Sequence, residues 1–394
     1  MKSKVPSPAW TRITLLFFGH LLNDGYGSFF APLLPLLINR LDLSLAMAGL
    51  AGTLHIVFSA FTQPALGYVL DRTQRRLSLV VIGPFLTICA MSMIGRAVSF
   101  TQLLVLMAVA GLGTALFHPA AAILVAGGNA ANRGLRMAFF SAGGTIGGAI
   151  TPLFIVVLAA TFGLTSSPWL LIPGLLSLAV FTFFLRRHLP KPVKQTSTTT
   201  SLRAIPRQLI ILWLAIVFRS MATVSFLNFL AVIITGRGGS AFAGGVSITV
   251  YLFAGAMGGF LAGNLSDRFG RKVVFFACAV LSTPFFLLFL YGPPSLALVS
   301  VAMAGLFILS STPVGVVAAQ ELLPGNTGLV SGFVMGFAWG VSGLILVLIG
   351  RYADLYGLLP VMTGAAFLPL VAGALILFYR DPHMKANVAQ PEKL

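Results

Sequence analysis

The sequence predicts an all-α membrane protein with about twelve transmembrane helices in two pseudo-symmetric six-helix bundles. Composition, the number of apolar stretches and a charged pattern that occurs twice all point there. Of 394 residues, 58% are hydrophobic and 8% charged, and the mean hydropathy is +0.98. That leaves too little polar surface to cover a soluble globule of this size. A spanning helix needs roughly 20 mostly apolar residues. On that criterion the spans fall near 11–38, 46–70, 78–96, 100–127, 135–162 and 167–185, then 208–235, 242–266, 272–291, 295–320, 327–350 and 358–379. The stretch 186–207, with its run Gln195-Thr-Ser-Thr-Thr-Thr-Ser201, is the long polar interval and has linker composition. The expected organisation is a bundle over 1–185, a cytoplasmic linker over 186–207 and a second bundle over 208–394.

The charged pattern reads Gly67-Tyr-Val-Leu-Asp71-Arg72-Thr-Gln-Arg75-Arg76 in its first copy and Gly263-Asn-Leu-Ser-Asp267-Arg268-Phe-Gly270-Arg271-Lys272 in its second. The two aspartates are 196 residues apart. A near-constant offset of 194 pairs Gly111-Leu112, Pro119, Asn132 and Gly134 with Gly305-Leu306, Pro313, Asn326 and Gly328. Agreement between the two offsets indicates parallel repeats related by an axis along the membrane normal. An Asp at a helix end beside an Arg and a tight glycine turn can make charged contacts present in only one transport state, so these ten-residue loops are expected to act as conformational hinges.

The net charge of +17 does not imply a nucleic-acid partner, because the basic residues lie in short clusters between apolar segments and not along one face. Four cations, Arg40, Arg96, Arg237 and Arg351, fall on one side and Arg219 falls inside a span, leaving 20 of the 25 on the side of the linker. By the positive-inside rule both termini and the linker are expected in the cytoplasm, in an inner (cytoplasmic) membrane. Lys2, Lys4 and Arg12 precede a long apolar stretch without a small-residue cleavage site, which reads as a retained first helix. Cys89 and Cys278 lie inside apolar segments and read as packing; no metal site, cofactor or enzymatic motif is expected.

Ionisable groups inside spans are costly and mark function by default. Asp24 lies about a dozen residues into the first helix, roughly 20 Å along it at 1.5 Å per residue. His20, Asn23 and Asp24 are spaced i, i+3, i+4 and share one face, which must turn to protein or to a wet cavity. A carboxylate there can load and release a proton, with His20 and with His118, which precedes Pro119 in the fourth span, as partners; a buried Asp held permanently by a cation is the alternative. Arg219 maps by the repeat to the depth of Asp24 and needs either Asp24 or an anionic substrate group as counter-charge. His55 and Gln63 in the second span join Asn23 and Arg219 as substrate-cavity candidates, and Glu321 reads as a gate or structural charge. The fifth span carries Gly143, Gly144, Gly147 and Gly148, and the eleventh carries Gly328, Gly332, Gly336 and Gly340, spacings that permit close helix approach.

In its paired Gly-x-x-x-Asp-Arg loops the chain resembles the major facilitator superfamily, across essentially its whole length. The first copy departs in having Gln74 where a second glycine is usual, and Met107 stands where the fourth helix usually carries an Arg. Gly19-His20-Leu-Leu-Asn23-Asp24 and Gly111-Leu-Gly113-Thr-Ala-Leu-Phe117-His118-Pro119 resemble the fosmidomycin-resistance branch of drug exporters. The resemblance implies the major facilitator fold; alternating access and function as a monomer are expected.

The expected function is a proton-coupled exporter of a small molecule or drug. A uniporter or importer of a metabolite, sugar or metal ion is the rival within the fold, and a non-transporting sensor or scaffold the rival outside it.

Overall fold

Peptide groups inside a bilayer must be paired within the protein, and a helix achieves this within one segment. The computed structural model describes residues 8–72, 76–126, 133–189, 206–323 and 330–380, and regular structure among them is helical. Twelve stretches are long and apolar enough to cross a membrane. The first is made of α1 (Pro8–Gly27) and α2 (Phe30–Leu41). The next five are α3 (Leu45–Arg72), α4 (Arg76–Ser92), α5 (Phe100–Ala126), α6 (Arg133–Phe162) and α7 (Leu171–Arg187). Then follow α8 (Arg207–Gly236), α9 (Ala241–Phe269), α10 (Arg271–Tyr291) and α11 (Ala297–Leu322). A π-helical turn, Gly332–Phe337, leads through α12 (Ala338–Gly343) into α13 (Ile345–Tyr356), and α14 (Leu358–Ile376) is the last.

Two spans differ from the single helices expected. The first is broken at Ser28 and Phe29, where the amides of both residues reach back three residues to Gly25 and Tyr26 instead of four. Pro32 has no amide to continue the α-helical ladder there, and the Ser28 hydroxyl takes the Asp24 carbonyl at 2.7 Å. The eleventh span runs on to Tyr356, and the wider π turn sets Phe333 and Phe337 against Trp213 with centroids 5.4 and 5.5 Å away.

The chain divides into two compact units, one of Met1–Leu43, Leu54–Thr198 and Gly239–Gly245, the other of Ser44–Thr53, Thr199–Gly238 and Val246–Leu394. Two short segments therefore depart from simple chain order. The start of α3 lies so close to α13 that a Cβ at Gly49 or Gly350 would collide with backbone, and Gly245 of α9 lies against Pro152 and Val156 of α6.

In the first unit α1 packs along α6, and α4 along α5, around Leu16, Val80, Ile88, Phe117, Phe140 and Phe181. In the second unit α8 and α10 both pack along α14, and α10 along α11, around Leu212, Phe275, Val314 and Tyr379. Phe154, Phe183, Phe253 and Phe260 are exposed, the usual surface of a helix facing lipid.

Candidate functional site

The glycines of α6 explain how an acid and two imidazoles come together in the first unit. A Cβ at Gly143 or Gly147 would strike the backbone of Phe17 or Leu21, so α6 lies directly on α1. A Cβ at Gly144 would overlap His20 Nε2 and stand 2.6 Å from Asp24 Oδ2, so this glycine makes room for the polar cluster.

Within that space His20 Nε2 lies 3.0 Å from Asp24 Oδ2, and His118 Nε2, from α5, lies 3.0 Å from Asp24 Oδ1. Asn23, fully buried, donates from Nδ2 to Asp24 Oδ1 at 2.9 Å and accepts from the Thr87 hydroxyl of α4 at 3.2 Å. His20 stacks on Phe140 with centroids 4.3 Å apart and meets His118 edge-on at 5.0 Å. The His20 side chain is 10% exposed, whereas those of Asp24 and His118 are 27% and 29% exposed, so the cluster has a buried back and an accessible front. Asp24 stands near the middle of the span Trp10–Leu41 and four residues before the break at Ser28.

The hydrogen-bond pattern fixes one proton. His20 Nδ1 is 2.8 Å from the Phe140 carbonyl, which can only accept, so Nδ1 carries hydrogen. Nε2 then faces a carboxylate oxygen at 3.0 Å, an attractive contact only if another proton lies between them. The three ligand atoms lie within 4.8 Å of one another, close enough to consider a metal ion. The two 3.0 Å contacts are hydrogen-bond lengths.

The other residues singled out by sequence fall into three groups. His55 and Gln63 lie half-buried on α3; His55 Nδ1 has no hydrogen-bond partner, and the carbonyl of His55 abuts Gly111. Arg219, 1% exposed on α8, donates to the Ile308 carbonyl at 3.3 Å, to Thr312 Oγ1 at 2.8 Å and to Ser220 Oγ at 2.8 Å, and its Nε has no partner. These three acceptors are neutral and lie in its own unit.

In the second hinge copy Gly270, at φ 89, turns α9 directly into α10. Arg271 is there shared between Asp267 Oδ1 at 2.5 Å and Glu321 Oε1 at 2.9 Å, with Ser266 at 2.6 Å. Lys272 donates to the Leu377 carbonyl at 2.5 Å, Arg268 is exposed, and Gly263 has open space around it. Of the first copy, Arg75 and the surroundings of Gly67, Asp71, Arg72 and Arg76 lie outside the described residues.

Sequence reasoning missed Thr87 and the Phe140 carbonyl, and read Gly144 only as a packing glycine. Gly144 had a visible signal in the glycine pairs of α6, but a pattern of small residues does not say what they admit. A threonine in an apolar helix and a backbone carbonyl carry no signal.

The model described as Major Facilitator Superfamily matches residues 16–249 and again 212–393. The chain is 29% identical to the fosmidomycin resistance protein of Escherichia coli over 378 residues, 93% of this chain and 92% of that one. It is 30% identical to the uncharacterized MFS-type transporter YfnC of Bacillus subtilis over 380 residues, with the same coverage. The multidrug resistance protein MdtG of Salmonella arizonae is 27% identical over 69% of this chain and 71% of its own. Among solved structures, a bacterial homologue of the human lysosomal transporter Spinster, inward-facing and occupied, aligns with a TM-score of 0.80. At 16% identity over 93% of this chain and 96% of that one, the likeness is one of fold.

Proposed function

This chain belongs to the Major Facilitator Superfamily, and from that premise we propose that it is a proton-coupled exporter, exchanging a small molecule for protons through Asp24, His20 and His118. The observation that carries this reading is the pair of 3.0 Å imidazole–carboxylate contacts at the middle of the first span. Held as it is, His20 can face Asp24 only with a proton between them, so this arrangement is the loaded one. Losing that proton turns a lone pair against a carboxylate, a local repulsion that favours a different position of the acid. The break at Ser28, one turn beyond Asp24, gives α1 a place to yield. Titration is thereby tied to the shape of a spanning helix, which is what a coupled transporter requires.

Export is supported by the relatives named for fosmidomycin and multidrug resistance. Arg219, a buried cation with neutral acceptors, is in this reading the contact for an acidic group on the substrate. The bundle works as a monomer in a bacterial inner membrane, with linker and termini in the cytoplasm as the 20 linker-side cations require. In inside-out vesicles, acidifying the lumen is expected to drive uptake of substrate, and Asp24→Asn to abolish that drive. Uptake indifferent to the lumenal pH would instead make the protein a uniporter.

A further inference from the structure

A cavity of about 450 Å³ lies where the first residues of α8 and α10 meet the chain just beyond α14. The transport reading does not use it. It is lined by three cations from three elements, Arg207, Lys272 and Arg380, together with Gln208, and among the described residues no carboxylate lines it. Two long helices, α8 of 30 residues and α10 of 21, begin here, so the positive ends of both dipoles point at the same space. The carbonyl end of α14 is covered at Leu377 by Lys272. Gln208 Oε1 accepts from the Arg380 amide at 2.7 Å and fastens the chain after α14 to the start of α8.

The outer wall of the same cavity is apolar. Leu377 and Phe378 line it and are 51% and 71% exposed; outside the lining, Ile210 on α8 and Val273 on α10, near the basic residues in sequence, are 45% and 47% exposed. A cationic floor beside an exposed apolar wall, at the end of three spanning helices, matches an amphiphile with an anionic head. A free phosphate would have no use for the wall, and an acidic protein segment would have none for its lipid-facing side.

We propose that this cavity binds the headgroup phosphate of an anionic phospholipid from the linker-side leaflet, with the acyl chains lying along Ile210, Val273, Leu377 and Phe378. The phosphate accepts from Arg207 and Arg380 and from the amides that open α8. The site anchors the first turn of α8 to that leaflet. It does not depend on proton coupling or on the nature of the cargo.

Delipidated protein placed in nanodiscs of phosphatidylcholine, alone or mixed with phosphatidylglycerol, tests this by native mass spectrometry of the retained lipid. Retention of phosphatidylglycerol over phosphatidylcholine is expected, with a higher unfolding temperature in the mixed discs. Arg207→Gln and Arg380→Gln should each cut that preference about fivefold, the factor a single cation near a lipid surface contributes. Both arginines are exposed, so the variants should unfold like the wild type in phosphatidylcholine. Arg351→Gln, exposed on the far side, should leave the preference intact. Equal retention of the two lipids, or a preference that survives the double variant, would overturn the proposal. Displacement of the lipid by inorganic phosphate would also overturn it, in favour of a site for free oxyanions.

Discussion

Each unit holds a polar triangle of three residues that joins two of its spanning helices, and the two triangles have opposite chemistry. At the offset of 196, Asn23 and Asp24 fall on Arg219 and Ser220; at 194, His118 falls on Thr312. In the first unit the first helix meets the fourth through Asn23, Asp24 and His118; in the second, the seventh meets the tenth through Arg219, Ser220 and Thr312. The first triangle holds an acid and an imidazole in hydrogen-bond contact. The second holds a guanidinium that stays charged and two hydroxyls that do not titrate. One duplicated scaffold thus offers a variable charge on one side and a fixed one on the other. In the proposed reading, proton coupling and recognition of an acidic cargo fall to different units.

The largest expected effect comes from removing the variable charge. Asp24→Asn should lower proton-driven efflux in proteoliposomes by about a hundredfold or more, as for loss of a proton-transfer group, while the protein remains folded and inserted. Full pH-driven transport by this variant would remove Asp24 as carrier and leave the two triangles without their proposed division of labour.

Changing the fixed charge should alter which substrates are taken and not how transport is driven. Arg219→Gln is expected to weaken binding of anionic substrates about tenfold to a hundredfold, as for a lost charge-assisted hydrogen bond, and to spare neutral ones. Ser220→Asp places a carboxylate beside Arg219 where the first repeat has Asp24, and should give the same loss with the arginine still present. Equal weakening of neutral and anionic substrates in Arg219→Gln would reduce the residue to a brace between α8 and α11.

Gly144→Ala probes the room on which the first triangle depends. Its Cβ would overlap His20 and crowd Asp24, so a loss of about 1–3 kcal/mol of stability is expected, together with impaired proton coupling. Chemical unfolding combined with the vesicle assay reads both; wild-type coupling in Gly144→Ala would mean that the cluster can re-form elsewhere.

The smallest effect belongs to the hinge. Asp267 is 63% exposed, and an ion pair so solvated contributes little, up to about 1 kcal/mol. Asp267→Asn should therefore slow turnover a few-fold with equilibrium substrate affinity unchanged, and Asp71→Asn is expected to act in the same way. A collapse of affinity, with distances between spin labels as in wild type, would move these residues from hinge to binding site.

Much of this was legible without a structure. Apolar runs long enough to span, a linker of polar residues and two copies of one charged loop specify twelve helices and a repeat, because the bilayer admits few other solutions. The acid in the first span was legible too, since a carboxylate in an apolar helix is costly and needs partners, and so was its face shared with His20 and Asn23, which helical periodicity alone dictates.

What tertiary structure decided is which helices touch. Only the approach of α6 at Gly144 and of α5 at His118 turns one acid into a three-residue cluster, and only the Phe140 carbonyl fixes which His20 nitrogen holds its proton. The break after Asp24 likewise follows from a serine, a phenylalanine and a proline whose effect depends on what packs beside them. Sequence sets the cost of each group in the membrane, whereas partnership between groups 94 or 120 residues apart exists only once the chain has folded. The two triangles show this difference in one molecule: the repeat offset matched Arg219 to the position of Asp24, but the bonds to His118 and to Thr312 were decided by packing.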